Sequence, residues 1–234
     1  MSHQRHQHIR IIEATWDDLP EVARVHVQSW QEAYAGLLPQ DYLDNLSVEA
    51  RLHRWRESFQ HPKTTATALA TTTGNATAES LPVRSASATN ADTIATPLSL
   101  APAPSTNPRP TPMRSTVLLA RAECEPGAPI TGFISYGPAR DTRKNGWGEI
   151  WAIYLLRQYW SQGAGYALFT EVRRRFATQP EGAPPGIYLW VLNTNAPAIH
   201  AYQRWGGTLH PGQTLHATMA NQPVTEVMVT FEIG

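Results

Sequence analysis

Apolar positions recur along this chain in two rhythms. Across residues 16–35, Leu19, Val22, Ala23, His26, Val27, Trp30, Ala33 and Tyr34 return at steps of three and four. That spacing predicts a helix with one buried face. Thr15, with Asp18 three residues on, supplies a capping-box start, and Gly36 and Pro39 end the run. Residues 40–46 and 48–59 read as a broken second helix with Ser47 as an internal cap. Helical spacing returns over 163–178 and over 195–205, the latter with Pro197 near its start. Apolar, β-branched and aromatic runs predict strands over 8–14, 116–122, 130–138, 147–155, 187–192 and 224–233, with a weaker one over 208–210. The expected order is β-α-α-β-β-β-α-β-α-β-β.

Composition then divides the chain. Its 8 Trp, 8 Tyr and 5 Phe all lie outside residues 60–132. Residues 62–115 hold 12 Thr, 11 Ala, 8 Pro and 6 Ser and no periodicity, so they cannot bury enough apolar surface to offset the entropy of ordering. They read as a disordered insert: a tolerated surface insertion or a tether, since long loops add little closure entropy. The expected organisation is a flexible terminus over 1–7, a first part of one domain over 8–61, the insert, and a second part over 116–234.

Charge and cysteine usage narrow the function classes. Lys plus Arg number 19 against 19 Asp plus Glu, which argues against a nucleic-acid surface. The one cysteine, Cys124, excludes an internal disulfide framework and fits a reducing, cytoplasmic setting. No run of 18 apolar residues suggests a membrane span, and the polar start lacks the apolar core of a signal peptide. His3, His6 and His8 read as a polar terminus rather than a metal site, and no metal is expected. Arg173-Arg174-Arg175 reads as a solvated helix face.

Two segments carry candidate chemistry. In the first, a strand through Gly148-Glu149-Ile150-Trp151-Ala152-Ile153-Tyr154-Leu155 is followed by Trp160-Ser161-Gln162-Gly163-Ala164-Gly165-Tyr166 opening a helix. Glycines without Cβ let several backbone N–H groups converge at a positive helix end, a ready anion site. No GK[ST] follows, so it is not a Walker loop. In the second, a buried strand ends in Asn193-Thr194-Asn195, and Tyr202 lies two helical turns beyond Asn195 on the same face. Taken alone, Asn195 is a helix cap and Tyr202 a core aromatic.

Together these segments resemble the GNAT superfamily of N-acetyltransferases. Gly163-Ala164-Gly165 matches the family's [QR]-x-x-G-x-[GA] loop. Val191, Asn195, Ala198, Tyr202 and Gly206 match its V-x-x-x-N-x-x-A-x-x-x-Y pattern and trailing glycine. Asp17-Asp18-Leu19, Ser29-Trp30 and Tyr34 to Pro39 resemble the opening of bacterial members. Two positions depart from the pattern: Trp160 replaces the usual Gln or Arg, and Gly207 the usual Phe.

The resemblance implies an α/β/α (α+β) fold on a mixed, mostly antiparallel sheet splayed at a cofactor cleft. It implies acetyl-CoA as co-substrate. The backbone of Ile153 and Leu155, with Tyr154 between, would lie along the pantetheine arm, the pyrophosphate would sit on residues 161–166 with Trp160 beside them at the cofactor, and Asn195 would reach the pantetheine amide. Tyr202 would protonate the leaving thiolate. Glu149, 14 residues before Gly163, stands at a spacing similar to that of the glutamate base in histone-acetylating members; it could equally be a solvated strand carboxylate. The acceptor, a small-molecule or protein amine, would be framed by Trp30, Tyr34 and the 210–222 loop. The implied protein is a monomer or homodimer that binds neither nucleic acid nor membrane. The alternative is a non-catalytic acyl-CoA-binding module on the same fold.

Overall fold

The computed structural model describes residues 8–59, 115–180 and 182–233. The expectations for 1–7 and for the insert, Ser115 apart, lie outside the described residues.

The chain enters through β1 (Ile9–Glu13) and turns at Thr15, whose N–H and hydroxyl both bond Asp18 Oδ2, at 2.8 and 2.7 Å. Asp18 also takes Nη2 of Arg121 at 2.7 Å, tying this entry to the neighbouring strand. Helix α1 (Leu19–Ala33) follows and buries Leu19, Val22, Ala23, Val27 and Trp30. The broken second helix appears as α2 (Gln40–Asp44) and α3 (Val48–Ser58), the latter capped by Ser47 Oγ accepting from Ala50 N at 3.1 Å. Then come β2 (Thr116–Ala122), β3 (Ile130–Pro138), β4 (Gly148–Leu155), α4 (Ala164–Ala177), β5 (Gly186–Leu192), α5 (Ala196–Arg204), β6 (Thr208–Met219) and β7 (Gln222–Glu232).

The seven strands form one sheet in the order β1-β2-β3-β4-β5-β7-β6. Every pairing is antiparallel except β4 with β5. That parallel pair holds only at Gly148 with Ile187 and Glu149 with Tyr188, after which the two strands part. The mixed, splayed α+β sheet is therefore as expected. Two apolar layers cover it. On one face Trp30, Trp55, Phe133, Tyr154 and Leu192 pack beneath α1 and α3. On the other, Ile150, Phe169, Val172, Val191, Tyr202 and Phe231 pack around α4 and α5.

Two local features depart from simple alternation. In β4, Ala152 pairs with Ser135 but Ile150 pairs with Tyr136, leaving Trp151 as an extra residue. Such a bulge bends a strand and flips which residues share a face. Accordingly Ile150 and Ile153, three apart, serve the α4 layer, while Ala152 and Tyr154 serve the α1 layer. The second departure corrects the expected 210–222 loop: β6 continues as strand to Met219. Pro211 and Gly212 read as breakers, but they sit within a register shift between His210 and Thr214. β6 is an edge strand, where a missing ladder N–H costs little. The hairpin closes at Ala220 and Asn221, with φ of 51° and 59°, the left-handed pair that tight hairpins require.

Candidate active site

Where β4 and β5 part, a cavity of about 950 Å³ opens through the sheet. One end is built by the loop into α4. Ser161 and Gly163 take φ of 59° and 90°, and Gly163 is the residue before the helix. A Cβ on Gly163 would meet nothing within 4 Å, so this glycine serves backbone conformation and open access rather than packing. Gly165 serves packing instead, since a Cβ there would lie 3.1 Å from Trp205 and 3.2 Å from Leu155. Ser161, Gly163, Gly165 and Tyr166 line the cavity beside Arg157 and Arg204. The residues thus fit an anionic ligand: a left-handed cradle at the start of a 14-residue helix, with two guanidinium groups nearby.

Along the β4 wall, Leu156 N donates to Thr131 O of β3 at 2.9 Å. Alternation along an antiparallel ladder then turns the backbone groups of Leu155 and Ile153 toward the cleft. Trp160 shows what replaces the usual polar residue: its indole Nε1 donates to Leu155 O at 2.9 Å, bracing the loop against β4. Asn195 lines the opposite wall while its Oδ1 accepts from Ala198 N at 3.2 Å, so it caps α5 and faces the cleft at once. The departure at Gly207 also has a packing reason. A Cβ there would fall 2.7 Å from Val229 and 2.8 Å from Phe231, in a layer that Trp205 already fills by stacking on Phe169 with centroids 5.4 Å apart.

The inner end holds the titratable groups. Tyr34, Tyr154, Tyr202 and Glu226 all line the cavity and are at most 9% exposed. The hydroxyls of Tyr34 and Tyr154 lie 3.5 Å apart. Burial pushes all three phenols up from their ordinary range, with the neighbouring tyrosines adding to the shift in Tyr34 and Tyr202. Beneath Tyr154, His26 stacks on its ring at 5.0 Å, accepts from Trp55 Nε1 at 3.2 Å, and is held neutral by burial and by Arg51 and Arg54.

Of the residues singled out from sequence, Ile153, Tyr154, Leu155, Trp160, Ser161, Gly163, Gly165, Tyr166, Asn195, Tyr202 and Tyr34 share this cavity. Four do not line it. Gln162 is exposed and its amide donates to Gln158 O. Ala164 is buried under the helix start. Trp30 is fully buried, edge-on to Tyr34 at 4.9 Å. Glu149 sits at the closed end of the β4–β5 seam and is neither solvated nor on the cleft wall. It is 2% exposed, accepts from Arg140 N at 2.7 Å and Tyr188 Oη at 2.8 Å, and pairs with the Arg140 guanidinium. The sequence reading overlooked Glu226, whose one signal was an acidic residue inside the apolar run of β7. Arg157 and Arg204 also line the cavity, as does His200, which read from sequence as near the thioester or, more simply, as surface packing.

Comparison with known proteins bears on this geometry. Residues 102–207 match the model of the acetyltransferase (GNAT) family. An uncharacterized N-acetyltransferase, YuaI, of Bacillus subtilis strain 168 is 25% identical over 197 residues, 84% of this chain and 79% of its own. The PaiA N-acetyltransferase of Thermoplasma acidophilum, solved in complex with coenzyme A, superposes with a TM-score of 0.54 at 14% identity, covering 96% of this chain and 98% of that one. The smu.2055 protein of Streptococcus mutans UA159 does so with a TM-score of 0.54 at 12% identity, covering 96% and 99%. The structural likenesses speak for the fold. The family match and the YuaI relative make the chain similar to GNAT acetyltransferases over much of its length.

Proposed function

We propose that this protein moves an acetyl group from acetyl-CoA to a primary amine by direct attack within a ternary complex. The observation that carries this reading is the through-sheet cavity, with an anion cradle at one end and buried proton-bearing groups at the other. The cradle over 161–166 would take the diphosphate, with Arg157 and Arg204 adding charge. The cleft-facing backbone of Ile153 and Leu155 would hold the pantetheine arm as an added strand. Asn195 would reach its amide. The Ile153 N–H would polarise the thioester carbonyl.

An alkyl amine is mostly protonated at neutral pH and must lose a proton to attack. The departing thiolate must gain one. Tyr202 is the donor in this reading, because burial keeps its phenol protonated throughout the neutral range. The acceptor is an amine of a small molecule or a protein, entering past Tyr34 and Leu37.

Acetyl-CoA at about 100 times its dissociation constant should stabilise the fold by about 2.7 kcal/mol. Free thiol should then appear with at least one member of a broad panel of amines and amino-terminal peptides. Thermal stabilisation without thiol release from any of them would make the protein a non-catalytic acyl-CoA-binding module. The absence of both would remove the acetyl-CoA site itself.

A further inference from the structure

The cavity wall carries two carboxylates among the described residues, Glu32 and Glu226. Glu32 is spoken for: its Oε2 accepts from Arg157 N at 2.6 Å and its Oε1 from Gln28 at 2.9 Å. Glu226 differs. It is 3% exposed, and its Oε2 is buried with no hydrogen-bond partner among the described residues. An unsatisfied buried carboxylate is costly, and a fold that keeps one beside a cavity keeps it for a ligand or a proton.

Position supports this reading. Glu226 pairs across the ladder with Leu192, the last residue of β5, so the two share the α1 face of the sheet. Tyr202 reaches the same cavity from the α4 face. The two groups therefore reach the opening from different faces, so one can meet the attacking nitrogen and the other the departing sulfur.

Resting on the acetyltransferase reading above, we propose that Glu226, rather than Glu149, is the base that takes the proton from the attacking amine. The nitrogen lone pair forms the C–N bond to the thioester carbonyl carbon while Glu226 accepts an N–H proton. The C–S bond breaks with its electron pair going to sulfur, which takes the Tyr202 hydroxyl proton. The proton on Glu226 then restores the Tyr202 phenolate through solvent, so a neutral amine and a thioester become an amide and a thiol.

The charged and titratable surroundings agree. Desolvation raises the Glu226 carboxyl to about 7; Arg140 opposes this and Glu149 adds to it. Tyr34 and Tyr154 feel its charge from the α1 and β4 sides, and His200 lines the cavity from α5. On β6, His210 pairs opposite Met228, two residues along the same face, and bonds Thr230 at 2.8 Å. A carboxylate poised near neutrality is matched to its task.

The test uses the full chain with the best amine from the panel. Glu226→Gln should lower kcat/KM by about 100-fold or more, with acetyl-CoA affinity within about twofold of wild type. The acidic limb of the wild-type kcat/KM profile, with its midpoint near 7, should vanish. Glu226→Asp should restore part of the rate and keep a limb. A carbon-13 or infrared titration of the wild type should show a carboxyl near 7 that is missing from Glu226→Gln. Glu226→Gln activity within threefold of wild type with the limb intact would overturn the role of Glu226 and leave the acetyltransferase reading standing. So would a Glu226 carboxyl titrating at its ordinary value. A wild type that turns over no amine would overturn both.

Discussion

The β4–β5 seam has two ends, and their polar groups are treated in opposite ways. At the closed end, where the strands still pair, Glu149 is saturated by Arg140 and Tyr188. At the open end, Glu226 keeps a buried oxygen with no partner among the described residues, and Tyr202 is buried against the cavity. Both carboxylates are buried in the one sheet, Glu149 on β4 and Glu226 on β7. Saturation makes the first a structural pin. The missing partners leave the second available for chemistry. Burial alone therefore does not single out a candidate acid or base; its hydrogen-bond partners and its place on a cavity wall must be weighed with it.

Substitutions can break this contrast at either end. The largest effect is expected at the pin. Glu149→Ala removes one partner of a buried pair and should cost about 3 kcal/mol in denaturant unfolding. A loss below about 1 kcal/mol would show that the Arg140 contact contributes little. Next comes the cradle: Gly163→Asp places a Cβ at φ 90° and a negative charge where the diphosphate is proposed to bind. Coenzyme A affinity should fall by at least about 100-fold, close to 2.7 kcal/mol, while the left-handed backbone of a non-glycine residue costs about 1–2 kcal/mol of stability although the added Cβ meets nothing. Retained affinity, read by calorimetry, would move the phosphate site elsewhere.

Tyr202→Phe should lower kcat by about 10- to 100-fold with acetyl-CoA binding unchanged, measured where chemistry limits turnover. An unchanged kcat would remove Tyr202 as the proton donor. The smallest effect concerns stability against pH. Glu226 is neutral in the fold up to about 7 but ionises near 4.5 when unfolded. Its contribution is fully present below 4.5 and is lost as pH rises through 7. Glu226→Gln cannot lose it, so the variant should gain steadily on wild type as pH rises from 4.5 to 7 and keep that gain above 7. Parallel stability curves for the two proteins would show that the carboxyl is not perturbed.

Much of the site was legible because it rests on local backbone chemistry. Glycine spacing at 163 and 165, the cap at Asn195 and the two-turn step to Tyr202 are short-range features, and the fold keeps them together. The proposed base, Glu226, was not legible, because it reaches the cavity from β7, a strand distant in sequence from the glycine loop and from Tyr202. Counting residues back from Gly163 finds a glutamate but cannot tell that it lies at the paired end of the seam. The length of β6 was hidden for a related reason. Pro211 and Gly212 stop most strands, and only the edge position with its register shift tolerates them.

Sequence alone determined the order of elements, the boundaries of β2 and β3, the glycine cradle and the family resemblance, because each depends on residues near one another in the chain. Tertiary structure decided what depends on distant partners. It set where β4 and β5 separate, which of two buried carboxylates is neutralised, and which faces the cavity. Glu149 and Glu226 are the same residue type in similar apolar strands. What separates them is hydrogen bonding: Arg140 and Tyr188 bond the Glu149 carboxylate, whereas Glu226 Oε2 has no partner among the described residues and feels Arg140 through its charge.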